Sequence, residues 1–190
     1  MAAHRGEEVE VKVAISGKRA FTRRLKEVGF RLETPRTFES NILYDFPDRR
    51  LRRRGELLRI RRYGEDWTLT YKAKGKAGRH KRREEVETKV ENGQALELVL
   101  IRLGLTRGFA YEKYRAEWTD GRGHVVVDET PIGDFAELEG PSRWIDATAK
   151  RLGISSTRYI TGSYAELFFA WKRRTRSPAA EMTFALVKAT

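Results

Sequence analysis

Cysteine is absent from the 190 residues, which excludes disulfides, thiolate-ligated zinc and a cysteine nucleophile. That absence fits a reducing cytoplasm. Histidine is almost as scarce: His4, His80 and His124 are far apart, so there is no HExxH zinc motif. No apolar run approaches the ~20 residues of a membrane helix. The start, Met1-Ala2-Ala3-His4-Arg5-Gly6, runs straight into charge without the apolar core of a signal peptide. A cytoplasmic protein with no membrane partner is expected.

Charge is what the chain has in excess. Lys and Arg number 39 against 27 Asp and Glu, a net +12, and charged residues are 35% of the chain. Hydrophobic residues are only 39%, yet 11% aromatics argue against disorder. The length suits one domain with a sizeable core. A strongly basic balance points to an anionic partner, whether nucleic acid, phosphorylated metabolite or acidic membrane.

The pattern is mostly period two, the signature of strands. Glu8, Glu10 and Lys12 alternate with Val9, Val11, Val13 and Ile15. Helix-like stripes are predicted over Lys18–Val28, Ala95–Leu103, Ser142–Leu152 and Tyr164–Arg174. Strands are predicted over Phe30–Tyr44 with a break near Pro35, and over Leu57–Arg62, Trp67–Lys74 and Lys81–Val90. Lys113–Trp118, Val125–Glu129 and Phe135–Glu139 follow, with Asp120-Gly121-Arg122-Gly123 as a hairpin turn. Arg49 to Arg54 reads as a basic loop on a solvated surface. The stretch after Arg176 reads as a loose tail in which Met182–Val187 could dock.

The polar faces of these strands hold ionised residues in pairs and triplets: Glu8/Glu10/Lys12, Arg59/Arg61, Arg83/Glu85/Glu87, Lys113/Arg115 and Glu137/Glu139. The opposite faces are apolar and need helices to cover them. One architecture meets both demands: an α+β fold in which about eight strands close into an antiparallel barrel, a tunnel with a charged interior, and helices pack outside. Trp67, Tyr71, Tyr114 and Trp118 then belong to the outer core. A charged interior is costly unless paired, hydrated or bound to ligand. Basic residues suit a multiply charged anion, and clustered carboxylates suit Mg²⁺ or Mn²⁺.

Glu8-Val9-Glu10-Val11-Lys12 is similar to the ExExK motif of the CYTH family, the triphosphate tunnel metalloenzymes. That family includes class IV adenylate cyclases, thiamine triphosphatases and inorganic triphosphatases. Tyr44-Asp45-Phe46-Pro47-Asp48 looks like a shortened form of its Tyr-x-Asp-x-Pro-type turn. Leu58-Arg59-Ile60-Arg61 resembles its LRIR strand, Leu69-Thr70-Tyr71-Lys72 its LTxK strand, and Arg83-Glu84-Glu85-Val86-Glu87 its RxExE strand. Lys113-Tyr114-Arg115 resembles KxR, Asp128 falls at the family's metal-binding Asp, and Glu137-Leu138-Glu139 resembles its ExE strand. The ordered set runs over residues 7–172, inside an expected domain of 7–174 followed by a tail, 175–190.

The resemblance implies roles. Glu8, Glu10, Asp128, Glu137 and Glu139 would hold Mg²⁺ or Mn²⁺, and Glu8, Glu10, Lys12 and Glu137 would carry catalysis. Lys12, Arg59, Arg61, Lys72, Arg83, Lys113 and Arg115 would bind triphosphate oxygens. Glu85 and Glu87 would orient their basic neighbours or join the metal site, or serve only as structural ion pairs. The implied activity is that of a class IV adenylate cyclase, with a triphosphatase as alternative. The implied partner is ATP, inorganic triphosphate or thiamine triphosphate. A non-catalytic barrel binding polyphosphate or RNA is the alternative of another class, but the retained carboxylates count against it. Nucleic acid is therefore not expected, and a homodimer stays open.

Overall fold

The computed structural model describes residues 4–76 and 78–188. Eight strands form a closed barrel: β1 (His4–Ala14), β2 (Arg31–Asp45), β3 (Leu57–Tyr63), β4 (Asp66–Lys72), β5 (Lys81–Val90), β6 (Thr106–Thr119), β7 (His124–Thr130) and β8 (Gly133–Glu139). Their order around the ring is β1-β5-β4-β3-β2-β6-β7-β8, and neighbouring strands are antiparallel. β1 closes the ring by pairing with both β5 and β8. Closure gives every strand two partners, although the start of β2 extends past β3 and pairs with β6 alone.

The helices are α1 (Lys18–Glu27), α2 (Arg50–Arg54), α3 (Gly93–Arg102), α4 (Ser142–Arg151), α5 (Tyr164–Thr175) and α6 (Phe184–Lys188). Because side chains alternate along a strand, Val11 and Val13 of β1 and Val125 and Val127 of β7 turn outward. Val11, Val13, Val125, Val127 and Leu138 form a buried cluster with Leu25 of α1 and with Trp144 and Ile145 of α4. Trp118 lies in it too. A second cluster sets Tyr44 and Ile60 against Leu100 of α3, with Trp67 and Leu69 packed on it. The third gathers Tyr111 and Phe135 with Tyr164 and Phe168 of α5. Tyr71 and Tyr114 also sit on the outer parity, and Tyr114 carries the Arg36 guanidinium 3.4 Å from its ring centre.

Three local expectations are revised. β2 runs through Pro35 unbroken, because pairing with β6 skips a residue between Thr34 and Thr37 while β3 joins only from Glu39. A proline needs no ladder partner at such a bulge. The basic run is a short helix, Arg50–Arg54, rather than a loop. Asp45 organises it by accepting from the backbone N–H of Phe46, Leu51 and Arg52. Finally, β6 starts at Thr106, well before Lys113. The segment after Arg176 does dock: Met182 is fully buried and bonded to Ala110 and Glu112 of β6.

Helix α3 also makes a close contact at its first residue, where Gly93 meets Trp67. A Cβ added at Gly93 would lie 2.1 Å from Cε3 of Trp67. Gly93→Ala is expected to cost about 1–3 kcal/mol, as overpacked sites do, and urea unfolding would measure it.

Candidate active site

The inward faces line a cavity of about 720 Å³. Register assembles it. Lys12 lies opposite Glu137, and Glu10 opposite both Glu139 on β8 and Lys81 on β5. Arg59 faces Thr70, Glu87 faces Thr70 from the other side, and Arg115 faces Asp128. Period-two alternation puts these side chains on the inner face, and strand order and register decide which of them meet.

One wall is acidic. Glu10, Glu137 and Glu139 each bring a carboxylate oxygen within 4.8 Å of the others. Burial raises the Glu139 carboxyl, and Glu137, Glu10 and Glu8 add repulsion that Arg115 only partly offsets, so it is pushed up to about 8. Burial also opposes ionisation of Glu10 and Glu137, but cations prevail. Lys12 and Lys81 hold Glu10 below the usual range, and Lys12, Arg115 and Lys113 do the same for Glu137. Crowded oxygen donors of this kind suit a hard divalent cation. Mg²⁺ or Mn²⁺ would fit them, displacing the Glu139 proton on binding.

The facing walls are basic and heavily paired. Lys72 donates to Glu8 at 2.7 Å and pairs with Glu85 at 2.9 Å. Arg83 reaches Glu8 at 3.2 Å. Arg61 donates to Glu87 at 2.9 Å, and Arg59 to Thr70 at 3.2 Å and Tyr111 at 3.3 Å. Lys12 pairs with Glu137 and lies 4.4 Å over the Tyr164 ring. Although burial works against its charge, Glu137 and Glu10 hold the Lys12 ammonium above the ordinary lysine range.

The expected residues thus come together around one space, but in two layers. Glu8 stands apart from the carboxylate trio, held by Lys72 and Arg83, which outweigh burial and bring its carboxyl down to about 2. Asp128 lies behind the lining, fully buried. It accepts from Lys113 at 2.9 Å, from Arg115 at 2.8 and 2.7 Å, and from the Tyr164 hydroxyl at 2.6 Å. Glu85 and Glu87 face Lys72 and Arg61 rather than the trio.

Sequence reasoning passed over Glu39, Lys81, Tyr111 and Tyr164. Lys81 donates to Glu10 at 2.9 Å, and its parity with Arg83 could have found it. Tyr111 lies one alternation before Lys113, outside the predicted strand. Tyr164 enters from α5, whose start is fixed by a capping box: Ser163 accepts from the Glu166 N–H, and Glu166 accepts from the Ser163 N–H. With Glu39 and Lys81 added, the interior carries Glu8, Glu10, Glu39, Glu85, Glu87, Asp128, Glu137 and Glu139 against Lys12, Arg59, Arg61, Lys72, Lys81, Arg83, Lys113 and Arg115. Formal charge there is balanced, so the +12 lies elsewhere. His80 has a structural place outside the site. It is buried and bonded to Asp146, tying the β4–β5 connection to α4. His124 lines the cavity and pairs with Glu33 at 3.1 Å.

The match to known proteins spans most of this frame. A candidate adenylate cyclase of Methanocaldococcus jannaschii is 29% identical over 171 residues, covering 84% of this chain and 97% of that one. A solved candidate adenylate cyclase of Vibrio parahaemolyticus superposes with a TM-score of 0.74 at 22% identity, covering 85% of this chain and 97% of its own. A candidate adenylyl cyclase of Hippeastrum, whose dominant activity is triphosphatase, superposes with a TM-score of 0.64 at 18% identity, covering 86% and 95%. The CYTH domain profile matches residues 6–164, which hold the charged interior and all eight strands but the first two residues of β1, and on that match the chain belongs to the CYTH domain family.

Proposed function

We propose that the protein is a divalent-metal-dependent enzyme acting on a triphosphate inside the barrel, of the class IV adenylate cyclase type. ATP would be converted to cyclic AMP and pyrophosphate. One observation carries this reading: three converging carboxylates share a cavity with a wall of lysine and arginine side chains. A polyphosphate needs the basic wall, and its metal needs the acidic one.

Glu10, Glu137 and Glu139 would hold Mg²⁺ or Mn²⁺, with Asp128 supporting them through Arg115, which it shares with Glu137, while Glu8 would fix Lys72 and Arg83. The metal would supply charge neutralisation on the phosphates and a lower pKa for the attacking hydroxyl. Arg59, Arg61, Lys72, Arg83, Lys113 and Arg115 would fix the phosphate oxygens, arginine doing so bidentately. Glu85 and Glu87 would aim Lys72 and Arg61. Lys12, kept as an ammonium, would act as a fixed positive charge rather than a base, stabilising the oxygens that gain charge as the bond to pyrophosphate breaks. The ribose 3′-oxygen would attack the α-phosphorus and give up its proton to solvent water while the bond to pyrophosphate breaks.

A second reading has one specific support, the triphosphatase activity of the Hippeastrum neighbour. There water would attack the terminal phosphorus and orthophosphate would leave. Incubation with ATP, thiamine triphosphate and inorganic triphosphate, each with Mg²⁺ or Mn²⁺, separates the two. Cyclic AMP with pyrophosphate supports the cyclase, and orthophosphate supports the hydrolase. No turnover of any substrate overturns both. Among the described residues no helix is long and apolar enough to cross a membrane. With the lack of cysteine, a cytoplasmic setting fits this chemistry.

A further inference from the structure

Glu39 has no part in the chemistry above, yet it is among the most deeply buried charges in the barrel. It is fully buried, lies behind the cavity lining and stands outside the carboxylate trio. β2–β6 register sets it opposite Lys113. Its carboxylate faces Lys113 Nζ at 3.4 Å and Arg115 Nε at 3.8 Å. Asn41 donates to one oxygen at 2.9 Å, and the other oxygen has no hydrogen-bond partner. A buried carboxylate with a bare oxygen is expensive to keep. Glutamine has the same shape at less desolvation cost, so the charge itself needs a reason.

Asp128 grips the same two cations from another strand. Lys113 and Arg115 line the cavity, whereas Glu39 and Asp128 do not. Two positive charges therefore face the ligand with two negative charges set directly behind them. In a low-dielectric wall the rear charges reach into the cavity. Their effect on any anion there is repulsive.

We propose that Glu39 is a positioning residue and a buried counter-charge: it holds Lys113 and Arg115 and weakens the barrel's grip on triphosphate, so that anions are released as well as captured. This deepens the triphosphate reading and rests on it. Binding substrate and product ever more tightly does not raise turnover. A wall with less counter-charge behind Lys113 and Arg115, Asp128 remaining, would retain both more tightly.

The test is calorimetric titration of the full chain with methylene-bridged inorganic triphosphate, which cannot be turned over, in the presence of Mg²⁺. Glu39→Gln is expected to bind at least about tenfold tighter, from one unit charge removed at short range. Glu39→Asp, which keeps the charge, stays near wild type. In steady state, KM and kcat of Glu39→Gln both fall, whereas a merely structural defect raises KM. Unchanged or weaker binding by folded Glu39→Gln overturns the proposal. Should that variant not fold, Glu39→Gln combined with Lys113→Gln is compared with Lys113→Gln alone. The double variant is expected to bind more tightly, and equal or weaker binding overturns the proposal. If the wild type itself fails to bind, the triphosphate reading falls and takes this proposal with it.

Discussion

Glu10→Gln is expected to lower metal-dependent turnover by about a thousandfold while the barrel stays folded. A metal's electrostatic share of such a reaction is several kcal/mol, and each 1.4 kcal/mol or so is a factor of ten in rate. Glu10 is the best member of the trio for the test. Its close ion pair is with Lys81 at 2.9 Å, Lys12 acting on it from farther off, whereas Glu137 pairs directly with both Lys12 and Arg115. Glutamine keeps the shape and loses the charge. Product formation from the preferred triphosphate with Mg²⁺ or Mn²⁺ measures the effect, and far-UV circular dichroism checks the fold. Full activity in a folded Glu10→Gln variant would remove the trio from the metal site.

Stability is expected to fall on both sides of a mildly acidic optimum when no metal is present. On the acid side, Glu8 and Glu39 are held at about 2 against an ordinary 4.5, because their cationic neighbours outweigh burial. A lowered carboxyl stabilises the fold above its unfolded value and loses that stabilisation as pH falls through the folded one. The loss amounts to roughly 3 kcal/mol per group between pH 4.5 and 2. On the alkaline side, Glu139 works the other way. Burial and its carboxylate neighbours raise it to about 8, so its contribution is complete below 4.5 and drains away as pH climbs through 8. Urea unfolding from pH 2.5 to 9 would trace both limbs. Glu139→Gln is expected to flatten the alkaline limb, and Mg²⁺ to restore stability there. A flat profile across 4.5 to 2.5 would contradict the buried pairing of Glu8 and Glu39.

Period-two alternation made most of the barrel readable in advance. Glu8, Glu10 and Lys12 could be assigned to one face because Val9, Val11 and Val13 so clearly belonged to the other, and both sets lie where alternation puts them. The same logic placed Arg59, Arg61, Arg83, Lys113, Arg115, Glu137 and Glu139. It failed where the outer face stopped being apolar. Ser40 alternates with Glu39 and Asn41 on β2, so nothing marked that stretch as having a buried side. Register was also out of reach. That Glu8 meets Lys72 and Arg83, and Asp128 meets Lys113 and Arg115, depends on which strands are neighbours, and strand order is a property of the closed ring. Tyr164 escaped for a different reason: it reaches the interior from a helix, where alternation does not apply.

The double pairing of β1 has a kinetic side. Its partners are β5 and β8, both far along the chain. Contacts of such sequence separation are slow to form, since loop-closure entropy is lost before any contact rewards it. During synthesis at about 5–20 residues per second, β8 trails β1 by roughly 6 to 25 s. For that interval Glu10 and Lys12 have no β8 carboxylate beside them, and Val11 and Val13 have no complete outer layer. The strand that opens the chain is thus among the last to be locked, and nascent chains paused before β8 should be those most dependent on chaperones.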